Sequence, residues 1–175
     1  MRKPVLSDLQ QIRNHPARPD ALSVVALLLK DHRAMRDLVK IVRSKRLSRA
    51  RVIEGFNTLE KVVLSHVTSE EHALLNHIKS NPRFEDEALE SIEEHEIHRN
   101  ILQGIRRTKD SKRRIIRMKI FCEMLEQHLD EEEKDLFPKF RKYAALSTKK
   151  KLGREFLKSR KRTHRRGEKL GVLKP

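Results

Sequence analysis

Residues 112–138 read KRRIIRMKIFCEMLEQHLDEEEKDLFP, and this stretch decides the fold. Ile116, Ile120, Phe121, Met124, Leu125 and Leu129 return at the three- and four-residue spacing that aligns side chains on one face of an α-helix. His128 stands four residues after Met124 and three after Leu125, so an imidazole points with the apolar stripe. Glu132 follows one turn later on the same face. Pro138 lacks an amide hydrogen and is expected to end or kink the helix before Phe140 and Tyr143. A titratable pair on a face built for the core needs a partner.

Three earlier segments carry the same periodicity. One begins around Glu85 to Glu87, whose acids suit a helix N-terminus. It passes Leu89, Ile92, Ile101, Leu102 and Ile105 to the polar turn Thr108-Lys109-Asp110-Ser111, with His95 on the face of Ile92 and Leu102. Another starts near Ser48 and runs through Val52, Phe56, Leu59, Val62 and Val63 to Ile78, where Ser80-Asn81-Pro82 stops it. Here His66 follows Val62 and Val63, and Glu70 lies four residues on. The first helix opens at Pro19-Asp20 and reaches about Arg43 through Leu22, Val25, Leu28, Leu29, Met35, Val39 and Val42, with His32 in line with the stripe. Four amphipathic helices joined by short turns predict an all-α, up-down-up-down four-helix bundle over residues 19–145. Residues 1–18 read as an N-terminal arm and 146–175 as a basic C-terminal tail.

A chain of 175 residues suits one domain. Between Asp20 and Phe137 the only breakers are Pro82, Gly55 and Gly104, which argues against a β-sandwich or a βαβ fold. The single cysteine, Cys122, excludes an internal disulfide and a Cys-rich metal site and reads as an inert core residue. No apolar run is long enough for a signal peptide or a membrane span, so the expectation is a cytoplasmic protein. Of the net charge of +16, most sits in residues 146–175, where 12 basic side chains face 2 acidic ones. Lys149-Lys150-Lys151 and Arg160-Lys161-Arg162 read as a solvated tail able to meet nucleic acid or an anionic surface, in which Phe156 and Leu157 hint at a short amphipathic helix that Gly153 and Gly167 weaken. With the second basic cluster from Arg106 to Arg117, this gives the alternative reading of a metal-independent helical nucleic-acid or polyanion-binding module.

Counted outward from the inter-helix turns, the histidines and glutamates on the four inward faces lie at similar depth, within about one helical turn for three of the helices. Burying them unpaired would cost a few kcal/mol each, more for the carboxylates. A metal removes the conflict. Imidazole nitrogens with carboxylate oxygens and no thiolate suit iron, manganese or zinc, and two carboxylates able to bridge favour a dinuclear site.

The succession Asp31-His32, His66-x3-Glu70-Glu71, Glu94-His95 and His128-x3-Glu132-Glu133, followed by Leu136-Phe137-Pro138, resembles the hemerythrin-like HHE cation-binding domain over about residues 20 to 143. The resemblance implies a four-helix bundle holding a non-heme di-iron centre, with His32, His66, Glu70, His95, His128 and Glu132 as metal ligands. It also implies a small diatomic or peroxidic ligand, in oxygen binding, peroxide or nitric oxide chemistry, or iron and oxygen sensing. Oxygen-carrying members place two histidines four residues apart on the third helix, whereas the residue four after His95 is Arg99 and His98 comes three after it. That departure predicts an open metal position beside a guanidinium held by Glu70, Glu132 or an acid of a neighbouring helix. His72, His77, His98 and His164 read as ordinary, partly exposed histidines, with His77 the one best placed to support a ligand, and Glu71, Glu94 and Glu133 as mainly solvent-facing acids whose place beside an inward residue would also let them serve as an extra ligand or hydrogen-bond partner.

Overall fold

The computed structural model describes residues 22–169, so the expected N-terminal arm lies outside the described residues. The chain is all-helical among these residues, with no strand. Helix α1 spans Val24–Arg43, and its first turn is capped by Ser23, whose hydroxyl accepts from the Ala26 amide at 3.3 Å. Helix α2 begins at Arg49 behind the Ser48 cap and runs as Arg49–Glu70, widens into a π-helical segment Glu71–Leu75, and closes with Asn76–Ile78. Helix α3, Glu85–Arg107, carries Glu85, Asp86 and Glu87 in its first turn, where carboxylates complement the unpaired amides.

Helix α4 starts behind Asp110, which accepts from the Arg113 amide at 2.6 Å. It runs as Ser111–Glu131, opens into a second π-helical segment Glu132–Leu136 and continues as Phe137–Tyr143. Pro138 thus does not end the helix. The Phe137 amide reaches back five residues to the Glu132 carbonyl, and the wider turn just before the proline eases the crowding its ring would cause in an α-helix.

The largest difference from the sequence reading is at the C-terminal end. Residues read from their charge as a solvated tail form α5, Leu146–Lys169, which packs across α1, α2 and the π-helical segment of α2. Leu152 and Phe156 are buried there with Leu28, Leu74 and Phe137. Gly153 allows the close approach: a Cβ at this position would overlap the Leu22 carbonyl oxygen at the start of α1. The described chain therefore has five helices, α1 packing against α2 and α4, and α3 against α4.

Apolar side chains gather in two cores. One holds Met35, Phe56, Leu59, Leu102, Phe121 and Leu125. The other holds Leu28, Leu74, Phe84, Leu136, Phe140 and Phe156. The helices pass from one core to the other through a layer of histidine and glutamate.

Candidate metal centre

That layer contains His32 from α1, His66 and Glu70 from α2, His95 from α3, and His128 and Glu132 from α4, all buried. Each lies in the stretch of its helix between the two cores, which is why the apolar periodicity is interrupted there without loss of the helix. The atoms that face inward are close. Nε2 of His66 is 3.1 Å from Glu70 Oε2, and Nε2 of His95 is 3.9 Å from the same oxygen. On the other side Glu132 Oε2 is 3.4 Å from His32 Nε2, and its Oε1 is 3.6 Å from His128 Nε2.

Two groups able to hold a cation follow: His32, His66 and Glu132, and His95, His128 and Glu132, with ligand atoms within 4.8 Å of one another. Glu132 belongs to both. Glu70 touches one histidine of each.

The outward nitrogen of every one of these imidazoles is held by an acid. His32 Nδ1 bonds Glu133 at 2.9 Å, His66 Nδ1 bonds Asp31 at 3.3 Å, His95 Nδ1 bonds Glu71 at 3.0 Å and His128 Nδ1 bonds Glu94 at 2.6 Å. A carboxylate accepting at Nδ1 fixes the proton there and turns the Nε2 lone pair inward. The acids form a ring: α1 holds the histidine of α2, α2 that of α3, α3 that of α4, and α4 that of α1.

Three of the four acids are in turn held by arginine. Arg36 bonds Glu133 at 3.1 Å, Arg99 bonds Glu71 at 2.7 Å, and Arg160 of α5 pairs with Asp31. These contacts set the ionisation of the outer acids. Burial works to raise the Glu71 carboxyl, but the bonds from His95 and Arg99 hold it below the usual carboxylate range. The His128 bond lowers Glu94 in the same way, against partial burial.

The inner groups do not satisfy one another. His32 Nε2, His66 Nε2 and both oxygens of Glu70 and of Glu132 have no hydrogen-bond partner. His95 and His128 point their Nε2 atoms at each other across 3.1 Å. With the Nδ1 protons committed to Glu71 and Glu94, that contact sets two lone pairs face to face. A proton or a cation between them resolves it. Burial disfavours charge on His128, yet Glu132 and Glu94 outweigh it and raise its affinity for a proton. Converging lone pairs and unpartnered carboxylate oxygens, enclosed by two apolar cores, fit a metal of nitrogen and oxygen preference.

The hemerythrin HHE cation-binding domain model matches residues 23–140. The chain belongs to this family. Searches of curated proteins and of solved structures gave no significant match. The matched region covers α1 to α3 and nearly all of α4, and so contains both groups of histidine and glutamate that could hold a metal ion. No helix among the described residues is long and apolar enough to cross a membrane.

Several positions differ from their sequence reading. Glu71, Glu94 and Glu133 are bonded to the central histidines rather than turned to solvent. The signal was present as acidic doublets: each central residue Glu70, His95 and Glu132, like His32 with Asp31, has an acid beside it in sequence. One residue along a helix turns the side chain by about 100°, toward the adjacent helix.

His98 is buried at 3% exposure, with its ring against His128 and Phe121 at centroid distances of 5.1 and 5.5 Å. Burial, then the neighbouring His128 and His95, push its pKa down to about 3, so it is neutral. Arg99 pairs with Glu71, an acid of a neighbouring helix, on the outer side of His95, and so does not stand over an inner metal position. His72 and His77 are exposed. Cys122 is fully buried with its thiol pushed up to about 12 by that burial, which suits an unreactive core residue. Tyr143 is half-exposed under the guanidinium of Arg83, 4.0 Å from its ring centroid.

Proposed function

We propose that this chain is a non-heme di-iron protein, working in the cytoplasm on oxygen, peroxide or nitric oxide, or sensing iron or oxygen through such a ligand. The observation that carries the reading is the sharing of Glu132 between two histidine pairs. His32 and His66 would hold one metal, His95 and His128 the other, with Glu70 and Glu132 spanning both. Iron bound there supplies one-electron redox chemistry and a coordination position for a small diatomic or peroxidic ligand. The chain's own residues do the rest. The four acids keep the Nε2 lone pairs directed inward, and the two apolar cores exclude water. Neutral His98 keeps an unbonded Nδ1 beside His128 that can hydrogen-bond a small ligand.

The ring of acids also supports an up-down-up-down course for α1 to α4. The supporting acid precedes the central residue on α1 and α3 (Asp31 before His32, Glu94 before His95) and follows it on α2 and α4 (Glu71 after Glu70, Glu133 after Glu132). A step backward on one helix and forward on the next turns the same way around the centre only when successive helices run in opposite directions.

Protein purified without an affinity tag from iron-replete cells is expected to carry about two iron ions per chain and near-ultraviolet oxo-to-iron charge-transfer bands. His66→Ala and His128→Ala should each remove most of the iron, and His77→Ala none of it. Folded wild-type protein that emerges from such cells without metal would sink the reading.

A second reading concerns the outer face of α5. Lys151, Arg154, Lys158, Lys161 and Arg162 are exposed, and their spacing sets them in one stripe opposite buried Leu152, Phe156 and Ser159. Such a stripe suits the backbone of a nucleic acid. Retention on DNA is expected to fall steeply with salt and to be lost when Lys151, Arg154 and Lys158 are changed to glutamine. Unchanged retention would move the contact to the Arg106 to Arg117 cluster.

A further inference from the structure

The four flanks of the metal centre are not alike. On three of them an arginine lies outside the acid that holds a histidine: Arg36 outside Glu133, Arg99 outside Glu71, and Arg160 outside Asp31. Each places a fixed positive charge between solvent and the centre, in a protein that already carries +16. On these flanks the acid's charge is already met by a guanidinium, Arg36 being shared with Asp130 at 2.8 Å, and is not free to draw a dication inward.

The fourth flank, between α3 and α4, is different. Glu94 holds His128, and no arginine or lysine pairs with Glu94 among the described residues. Beside it a cleft of about 440 Å3 is lined by Glu87, Glu90, Glu94, Glu131, Glu132 and Asp135, with Lys134 as the lysine on its wall. The inner end of the cleft is Glu132, which is only 2% exposed and has neither carboxylate oxygen in a hydrogen bond. One carboxylate thus lines the cleft and belongs to both metal groups. Glu87 is already neutralised by Lys139, whereas the bond that Glu131 accepts from the uncharged Gln127 amide at 2.9 Å leaves its charge in place, so Glu90, Glu131, Asp135 and Glu94 carry the negative potential inward.

We propose that this cleft is the admission site for divalent metal: a cation is collected by Glu90, Glu131 and Asp135, passes Glu94, and is delivered to Glu132. The proposal rests on the di-metal reading above and adds a route that the ligand set does not contain. Clefts walled by one sign of charge raise local ion concentration and association rate by about 10- to 1,000-fold. The charge of the cleft should therefore appear in the rate of loading and not in the final amount of metal bound.

The test is stopped-flow loading of metal-free full-length protein with cobalt(II) alone, followed by its visible d–d absorption and completed by metal analysis. The triple variant Glu90→Gln, Glu131→Gln, Asp135→Asn is expected to load about tenfold more slowly at low ionic strength, to lose most of its salt dependence, and to reach the wild-type metal content. Lys134→Glu should load faster. The control removes three exposed carboxylates elsewhere, Asp37→Asn, Glu54→Gln and Glu123→Gln, and should load at the wild-type rate.

Equal rates in the triple variant and the wild type, or an equal slowing in the control, would overturn the cleft as the route while leaving the metal centre intact. Wild-type protein that takes up no cobalt would instead refute the di-metal reading, and the route with it.

Discussion

Replacing Glu132 by glutamine is expected to reduce bound metal from two ions per chain to one or none, the largest loss from any single change outside the histidines. Glu132 is the residue common to both candidate groups, and its oxygens face His32 at 3.4 Å and His128 at 3.6 Å. Burial favours its protonation, but His128 and His32 outweigh burial and keep the carboxyl well below its usual range, so it is anionic and ready to bind a cation. An amide has the same shape without the charge and cannot bridge two dications. Loss of an outer partner of a metal ligand costs roughly 10- to 100-fold in affinity, and loss of a shared inner ligand should exceed that.

Glu132→Leu separates binding from stability. It removes a buried carboxylate with no hydrogen bond, so the metal-free variant should be at least as stable as the metal-free wild type. The wild type alone should gain on adding metal, by about 4 kcal/mol at a thousandfold excess over its dissociation constant. Metal analysis with denaturant unfolding in chelator and in metal checks both. Two ions per chain in Glu132→Gln would reject the shared-ligand assignment.

The second large effect belongs to α5. Deleting residues 147–175 is expected to cost about 3–5 kcal/mol, because it uncovers the partners of Leu152 and Phe156, each such side chain being worth about 2 kcal/mol when buried. It should also weaken metal binding at His66. Arg160 pairs with Asp31, Asp31 holds His66 Nδ1, and the Phe156 ring lies 6.5 Å from the His66 ring. A tail independent of the metal would leave iron content unchanged on truncation.

Gly153→Ala tests the same contact without shortening the chain. Its methyl group would overlap the Leu22 carbonyl, and neither backbone yields cheaply, so α5 should lift from α1 at a cost of about 1–3 kcal/mol. The expected signature is a lowered unfolding midpoint together with weaker metal binding at the His32 and His66 group, read by urea titration and metal titration of the same variant. Unchanged midpoints in both the deletion and Gly153→Ala would show that α5 does not hold the domain.

Helix positions follow from local information. Apolar spacing, Ser48 and Asp110 at helix starts and Pro82 in the loop before α3 act within a few residues, so the linear sequence carries them. The buried layer was legible for a related reason: His32, His66, Glu70, His95, His128 and Glu132 each break an apolar stripe at a place where a polar side chain has no local use.

What the sequence did not reveal was which groups meet across helices. Glu71, Glu94 and Glu133 show in the sequence only as acids adjacent to inward-facing residues, because the histidine each one holds lies on another helix, 24 to 101 residues away, and leaves no periodic trace. The packing of α5 against α1 and α2 was hidden for the same reason. Its dense lysine and arginine mask a two-residue apolar anchor, Leu152 and Phe156, and Gly153 between them looks like a helix breaker until the Leu22 carbonyl lies against it. Composition and periodicity alone determined the helices and the residues that had to be neutralised inside them. Only tertiary packing decided which acid holds which histidine, which flanks arginine closes and that the basic segment covers the α1 and α2 side, since those outcomes depend on distances between helices that no local pattern encodes.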